Sequence, residues 1–223
     1  MPSKREKLAI GEYSHIYNRG TDKRPIFNKE EDIERFIESM YIFNTIKPTL
    51  SLIRKKDDID YSVGVGPLQE PLVEIVAYSL LPNHFHFLVK QITDGGISEF
   101  MKRLQGGYTS YFNEENDRTG ALFQGKYKYK HVTTDEYFKN IFCYVTFNSS
   151  IHNIPNDKNH LIASSFGEYT SRISYLIPNT QMNFIFNIFS NTNKIQKFAK
   201  ETISVIRKLR SEKDYKENKN LFE

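Results

Sequence analysis

The pattern of apolar and polar positions predicts two adjacent strands near the middle of the chain. Val73 to Leu81 is almost continuously apolar and partly β-branched, as in a strand that is buried on both faces. Pro82-Asn83 interrupts this run, and from His84 to Lys90 alternate side chains would point to opposite faces of a second strand. The two strands are therefore expected to form a β-hairpin.

Further elements are predicted from apolar residues that repeat with a strand or helix period. The first helix should begin at Asn28, with Glu31 completing a capping box, and should bury a stripe that starts at Ile33. The other predicted elements are a strand at Tyr13 to Asn18, a turn at Arg19 to Asp22, a short strand at Leu50 to Ile53, a polar loop at 57–67, a helix at Ile97 to Phe112, a basic strand or loop at Ala121 to Val132 and a helix at Thr134 to Asn148.

This order of strands and helices predicts an α+β fold, a ferredoxin-like antiparallel sheet with helices packed on one face. Beyond the last of these helices, the composition changes to a linker at Asn156 to Asn159 and an irregular stretch at Ser171 to Phe189. An amphipathic helix follows, with an apolar face that begins at Ile195. We therefore predict one domain at 8–155 and a mostly helical C-terminal extension at 156–223.

Composition narrows the class of protein. The 223-residue chain is 39% hydrophobic, and it contains no apolar run close to the roughly 18 residues that a membrane-spanning helix needs. Its charged start, Met1 to Lys7, is not followed by an apolar segment, so we expect no secretory signal and a cytoplasmic location. The single cysteine, Cys143, excludes an intrachain disulfide and a multi-cysteine zinc site, and we expect it to face the core.

His84 and His86 form the first candidate site. At positions i and i+2 of one strand, two imidazoles point the same way and can bind one cation, while Phe85 between them packs into the core. The alternative is a pair of histidines that only pack at the surface of the sheet. The spacing alone leaves both interpretations open.

Tyr144 and Asn148 form the second candidate site. Four residues apart on the predicted helix, they would share a face, so that a phenol and an amide oxygen could reach a common centre. Tyrosine and asparagine are both frequent in this chain, and ordinary helix packing is therefore the alternative.

A basic segment could contact an anionic partner, which the net charge of +4 mildly favours. Lys126, Lys128 and Lys130 alternate with rings, and on a strand they would lie on one face that can follow a phosphate backbone. The rings that could stack on exposed bases are Tyr127, Tyr129 and His131. The alternative is a solvated basic ribbon with its rings buried beneath it.

Five segments together give the chain a resemblance to a known family. They are His15 to Gly20, Ala77 to Leu88, Tyr108 to Asn113, Phe123 to Tyr127 and Tyr144 to Asn148. In this order the chain resembles the single-tyrosine transposases of the HUH endonuclease superfamily, especially the branch that includes insertion-sequence-like and REP-associated tyrosine transposases. The resemblance extends from about Tyr13 to Ser165, and its specific part is Leu81-Pro82-Asn83-His84-Phe85-His86-Phe87-Leu88.

The resemblance implies a catalytic role for the first domain and the same ferredoxin-like fold. It implies that His84 and His86 are two ligands of a divalent cation, that Asn148 is the third, and that Tyr144 is the nucleophile. The enzyme would nick and rejoin single-stranded or hairpin DNA through a 5′-phosphotyrosine, leaving a free 3′-hydroxyl. The cation would be Mg²⁺ or Mn²⁺, of which Mn²⁺ suits imidazole ligands better.

The resemblance also ranks the remaining candidates. Tyr108 and Tyr111 rank below Tyr144 as nucleophiles, because their spacing suits core packing and because the family has its nucleophile one helix later. The candidate DNA-binding residues are Lys126, Lys128, Lys130, Arg19, Lys102 and Arg103. The spacing of histidines and carboxylates identifies no general base.

Two other functions remain open at this stage. A hairpin-binding protein that has lost catalysis is one, because Ser149-Ser150 follows Asn148 where relatives usually have proline. A zinc hydrolase that uses His84 and His86 with water in place of the tyrosine is the other. The DNA target, a mobile or a host-adapted role, and a possible homodimer are not determined by the sequence.

Overall fold

A five-stranded antiparallel sheet forms the centre of the molecule, in a computed structural model that describes residues 8–47, 70–152, 154 and 156–211. The strands are β1 (Tyr13–Arg19), β2 (Val73–Leu81), β3 (His84–Gln91), β4 (Lys128–Val132) and β5 (Ala163–Ser164). Their order across the sheet is β4-β1-β3-β2-β5. The predicted hairpin is confirmed, because β2 and β3 are neighbours joined by Pro82-Asn83.

Seven α-helices surround the sheet within the described residues. They are α1 (Glu30–Ile42), α2 (Gly96–Glu115), α3 (Asp135–Thr146), α4 (Asn148–His152), α5 (Phe166–Ser171), α6 (Asn179–Phe189) and α7 (Thr192–Ser211). None of these described helices combines the length and the apolar character needed to cross a membrane. The predicted α+β fold with a mostly helical C-terminal region is confirmed. The strand predicted at Leu50 to Ile53 and the loop predicted at 57–67 lie outside the described residues.

Strand β1 lies between β3 and β4 and aligns side chains across the three strands. Tyr17 is paired with His86 on one side and with Lys128 on the other. Arg19 is paired with His84. Because directly paired residues of neighbouring antiparallel strands point to the same face, these five side chains lie on one face of the sheet.

Helices cover both faces of this sheet. On one face, Phe36 of α1 contacts Phe85 of β3 and Tyr108 of α2, with ring centroids 5.5 Å and 4.7 Å apart. On the other face, Tyr144 of α3 contacts His86 of β3. The expectation of helices on one face only is therefore wrong. It fails because β2 and β3 are buried on both sides, and such strands need cover on both faces.

The C-terminal region packs on the same sheet. Strand β5 pairs with β2, and the hydroxyl of Tyr169 in α5 donates a hydrogen bond of 2.7 Å to the carbonyl of Val76. Val76 lies where the register between β2 and β3 shifts, so this bond gives a partner to a carbonyl at the irregularity. Ile195 of α7 belongs to the same apolar core as the sheet. The functional division at residue 155 stays a prediction.

Helix α6 lies where irregular structure was expected, so the prediction for 171–189 is wrong over Asn179–Phe189. Its buried residues Met182, Ile185 and Phe189 have helical spacing. Phe184 is also apolar but occupies an exposed position of this helix, which obscured the stripe. Asparagine, which has a low intrinsic helix propensity, recurs in the segment, and packing against the sheet overrides that local preference.

The start of α1 also differs from the prediction. The helix begins at Glu30, with Lys29 in the N-cap position. The capping carboxylate is that of Asp32, which accepts hydrogen bonds from the backbone N–H groups of Asn28 and Lys29 at 2.7 and 3.2 Å. The expected pair of Asn28 and Glu31 is therefore displaced by one residue.

Candidate active site

His84 and His86 lie side by side at the end of the β2–β3 hairpin. Their ring centroids are 5.3 Å apart and their planes are almost perpendicular, at 89°. His86 is 5% exposed, and His84 is half-buried. Phe85 points to the opposite face and is fully buried. The predicted orientation of the pair is therefore confirmed, with both imidazoles on one face of the sheet.

The Nδ1 atom of His84 is held by its neighbour in the hairpin turn. It lies 2.6 Å from Oδ1 of Asn83. The Nδ2 atom of Asn83 donates a hydrogen bond of 3.1 Å to the carbonyl of Lys23, which fixes the orientation of the amide. The turn residue therefore connects the histidine to the segment that follows β1.

The Nδ1 atom of His86 is held by a third histidine that had no predicted role. His15 of β1 has its Nε2 atom 2.9 Å from Nδ1 of His86. Burial, followed by the charge of Lys130, lowers the pKa of His15 to about 3, so its imidazole is neutral at pH 7. Tyr17 stacks on both His15 and His86, with centroids 5.1 and 5.6 Å away.

Tyr144 lies beside these histidines. Its ring makes edge contacts with His86 and His15 of the same chain, with centroids 5.4 and 5.7 Å apart. The side chain is fully buried, at 0% exposure. One chain therefore brings the predicted nucleophile next to a predicted metal ligand.

Asn148 lies on a helix of its own, so the expectation that it shares one continuous helix with Tyr144 is wrong. α3 ends at Thr146, and Phe147 leaves the helical conformation at φ −112° and ψ 25° before α4 begins. Threonine and phenylalanine have modest helix propensity, which favours a break here. His152, four residues after Asn148, contacts His84 with centroids 4.8 Å apart.

The carboxamide of Asn148, the third predicted metal ligand, is fully buried, and neither its oxygen nor its nitrogen has a hydrogen-bond partner among the described residues. An unpaired buried polar group costs about 1–3 kcal/mol, so a group that binds the oxygen would stabilise the site. Two imidazoles and an amide oxygen form a donor set that suits a divalent ion such as Mn²⁺.

No group of three or more His, Cys, Asp and Glu side chains that could hold a metal ion occurs within residues 8–47, 70–152, 154 and 156–211. For the described part of the chain, a third ligand to a metal at His84 and His86 would therefore come from another residue type or from water. Asn148 as the third ligand, which the resemblance implied, stays a prediction.

A cleft of about 530 Å³ opens at the histidine pair. Its lining includes His84, His86, His152 and the cationic residues Arg19, Lys23 and Lys128. The guanidinium Nε of Arg19 donates to Oε1 of Gln124 at 2.9 Å, which directs this side chain along the cleft wall. The positive charges and two of the candidate ligands, His84 and His86, thus share one concave surface.

The lysines of β4 lie on the histidine face, as their alternation predicted. Lys128 is paired with Tyr17 and Lys130 with His15. Lys126 is exposed and precedes the strand. Tyr127 is buried, with its hydroxyl 3.1 Å from the Oγ atom of Ser98. It therefore does not offer an open face to a base, and the prediction that Tyr127 stacks on a base is wrong.

Lys102 and Arg103 lie on α2, on the opposite face of the sheet, and they do not line the cleft. Lys102 is exposed, with Nζ 3.8 Å from Glu99. Arg103 donates hydrogen bonds of 2.7 Å to Glu99 and to the carbonyl of Thr45. Their predicted role in DNA binding would therefore concern a surface other than the cleft at His84 and His86.

The rival tyrosines also lie on the α2 face. The hydroxyl of Tyr108 donates to the carbonyl of Ile26 at 2.6 Å, and that of Tyr111 donates to Asp32 at 3.2 Å. Burial, followed by the charge of Asp32, raises the pKa of both phenols. Cys143 is buried as predicted, and burial raises the pKa of its thiol to about 12.

The match to a family model agrees with the resemblance found in the sequence. Residues 67–148 match the family model described as IS200-like transposase, a range that includes His84, His86, Tyr144 and Asn148. A solved structure of a REP-associated tyrosine transposase bound to a REP hairpin is 14% identical, with a TM-score of 0.44, over 80% of this chain and 88% of that chain. No curated protein matches the chain.

Proposed function

We propose, from the match of residues 67–148 to the family model of the IS200-like transposases, that this protein nicks and rejoins single-stranded or hairpin DNA through Tyr144. The observation that carries the proposal is the contact between the ring of Tyr144 and His86 of the same chain, 5.4 Å between centroids. A phenol beside a candidate metal ligand can be positioned against a bound phosphate. Among the described residues, the packed tyrosines of the α2 face have no ring contact with a candidate metal ligand.

The metal-binding residues in this proposal are His84, His86 and Asn148. When bound there, a divalent ion would neutralise charge that develops on the scissile phosphate. Two observations support this assignment. The amide of Asn148 has no hydrogen-bond partner among the described residues, and both imidazoles lie on one face of the sheet. His84 also lies at the cleft, where a phosphate has direct access to it.

The covalent step transfers the phosphoryl group from a DNA oxygen to the tyrosine. The Oη atom of Tyr144 attacks the phosphorus, an O–P bond forms, and the bond from phosphorus to the 3′-oxygen breaks. The phenolic proton passes to water, and the departing 3′-oxygen takes up a proton from water. The products are a 5′-phosphotyrosine and a free 3′-hydroxyl. Attack of a 3′-hydroxyl on this adduct reverses the step and joins strands without ATP.

Exposure of Tyr144 has to change during the reaction. Its side chain is fully buried, whereas the cleft beside His84 and His86 is open. A phosphate in the cleft would meet the histidines first. DNA binding must therefore be accompanied by a local movement of α3 or of its neighbour α4 that uncovers the phenol.

The DNA backbone would follow the cationic side of the cleft. Arg19, Lys23 and Lys128 line it together with the histidines, and Lys130 lies on the same face of the sheet. Neutralisation of phosphates by such side chains releases counterions and supplies affinity that does not depend on sequence. Bases would be recognised by the half-buried rings of this face. One of these rings, that of Tyr17, lines the cleft.

A denaturing gel tests the proposal directly. A hairpin oligonucleotide labelled at its 3′ end, incubated with the protein and Mn²⁺, should yield a labelled adduct that survives denaturation. Tyr144→Phe should abolish this adduct, whereas the matched variant Tyr111→Phe, on the other face, should retain it. An adduct that persists in Tyr144→Phe would remove Tyr144 from the role, and unattached product at full rate would favour a zinc hydrolase.

A second function is favoured by the complete burial of Tyr144 and by Ser149-Ser150 after Asn148. The protein would then bind hairpin DNA through the same cationic cleft without cutting it. Tight hairpin binding with no adduct in Mg²⁺ or Mn²⁺ would support this function. Any adduct on Tyr144 would exclude it.

A further inference from the structure

The hairpin turn determines which nitrogen of His84 carries a proton. The amide nitrogen of Asn83 donates to the carbonyl of Lys23 at 3.1 Å, so its oxygen is the atom that faces His84. This oxygen, 2.6 Å from Nδ1 of His84, has no hydrogen to donate. Nδ1 must therefore be the donor, and in the neutral imidazole the lone pair is then on Nε2.

The hydrogen bond to His86 connects two imidazoles and allows two arrangements. Either Nδ1 of His86 donates to Nε2 of His15, or the reverse, across 2.9 Å. In the first arrangement, the lone pair of His86 is on Nε2, as it is in His84. In the second, Nε2 of His86 carries a proton and cannot bind a cation. A metal that binds both histidines through Nε2 is compatible only with the first.

We propose that His15 and Asn83 are positioning residues that hold His84 and His86 in the Nδ1–H tautomer, so that in each histidine Nε2 carries the lone pair that would bind the cation. The inference rests on the proposed metal role of the two histidines. A metal-bound histidine commonly donates its second N–H to a fixed acceptor, and loss of that acceptor weakens metal binding about 10- to 100-fold. Here one acceptor is an amide oxygen and the other is a buried imidazole.

The location of His15 supports a role through His86 and not a direct one. It is fully buried in the middle of β1, and its strand partners are Leu88 and Lys130. It does not line the cleft that His86 lines. His15 also contacts the ring of Tyr144, so it supports the orientation of the ligand and of the nucleophile from the same side.

Isothermal titration of the full chain with Mn²⁺, in the absence of DNA, tests this inference. His15→Leu keeps much of the volume and removes the acceptor, and it should weaken Mn²⁺ binding about 10- to 100-fold. His15→Gln offers an amide oxygen near the position of Nε2 and should restore binding to within a few-fold of the wild type. Asn83→Ala and Asn83→Asp form the same pair of loss and rescue for His84.

Ser79 provides a matched control. It is buried on β2 and is paired with His86 from the opposite side, but no hydrogen bond connects its hydroxyl to that histidine among the described residues. Ser79→Ala should leave Mn²⁺ affinity unchanged. Equal losses in Ser79→Ala and His15→Leu would indicate a general disturbance of the sheet and would overturn the inference.

Nitrogen NMR of the wild type keeps the inference testable if His15→Leu does not fold. With Zn²⁺ as a diamagnetic ion, ¹⁵N chemical shifts should show a proton on Nδ1 of His84 and His86 and none on Nε2 of His15. A proton on Nε2 of His15 would overturn the assignment.

The outcomes separate this inference from the proposed function. Suppose that the wild type binds Mn²⁺, that His86→Ala abolishes this binding and that His15→Leu has no effect. The positioning role is then refuted, and the proposed function is not. If neither Mn²⁺ nor Zn²⁺ binds to the wild type, both fall. Rescue by His15→Gln supports both.

Discussion

Two clusters on opposite faces of the sheet differ in how their polar groups are satisfied. On the α2 face, Phe36, Phe85 and Tyr108 pack ring against ring, and the hydroxyl of Tyr108 donates to a carbonyl at 2.6 Å. On the α3 face, His86 and Tyr144 are buried together, and the amide of Asn148 has no hydrogen-bond partner among the described residues. The first arrangement serves stability. The second accepts an energetic cost, which is expected where a ligand completes the site.

The largest effect is expected when one copy of the chain lacks the nucleophile and another copy lacks a metal ligand. Because Tyr144 contacts His86 of its own chain, Tyr144→Phe protein mixed with His86→Ala protein should form no covalent adduct on a 3′-labelled hairpin. Mixing each variant with the wild type should leave the wild-type adduct in place. Restored adduct in the mixture of the two variants would show that a partner subunit completes the site.

The α2 face should be far more sensitive to loss of volume. Phe85 is fully buried between Phe36 and Phe123, so Phe85→Ala should lower the free energy of unfolding by about 3–5 kcal/mol. Denaturant unfolding measures the change. His86→Ala, at the next position on the strand and on the opposite face, should cost much less. Equal losses in the two variants would contradict the division between a stabilising face and a functional face.

Replacement of Asn148 and of Tyr108 should change the free energy of unfolding in different ways. In metal-free buffer, Asn148→Leu removes a buried amide that no described residue pairs with, and it should leave the free energy of unfolding unchanged or raise it by about 1–3 kcal/mol. Tyr108→Phe leaves the carbonyl of Ile26 without its donor and should cost about 1–3 kcal/mol. Thermal unfolding with excess chelator compares the two. A clear destabilisation by Asn148→Leu would mean that its amide already has a partner.

The smallest effect concerns DNA binding. Lys128 lines the cleft, and Lys128→Ala should weaken hairpin binding and reduce the slope of log K against log salt by about 1. Lys102 is equally cationic and exposed but lies on the α2 face, so Lys102→Ala should leave the slope unchanged. Fluorescence anisotropy at several salt concentrations distinguishes them. A change in both slopes would place DNA on both faces.

Local spacing was sufficient to predict part of the site. The alternation of His84, Phe85 and His86 fixes their orientation on any strand, and the break at Pro82-Asn83 indicates the hairpin. By contrast, the contact between His15 and His86 joins residues 71 positions apart. It depends on β1 lying between β3 and β4, which no pattern within a single strand determines.

The helical part of the site was predicted less well, for a different reason. Tyr144 and Asn148 have the spacing of a shared helix face, but the backbone at Phe147 leaves the helix between them. Such a break costs little when neighbouring packing compensates for lost hydrogen bonds, and the sequence gives no proline or glycine to mark it. His152 lies at the end of α4. The sequence analysis missed it because its contact with His84 depends on the break at Phe147.

The short pairing of β5 with β2 has a consequence for truncated versions of the protein. β2 is a nine-residue, largely apolar strand, and β5 with α5 occupies its outer edge through Ser165 and Tyr169. A chain shortened at residue 155 would expose that edge, and exposed apolar edges recruit strands from other molecules. Self-association of such a fragment would reflect the lost cover of β2, and the oligomeric state of the protein is therefore to be measured on the full chain.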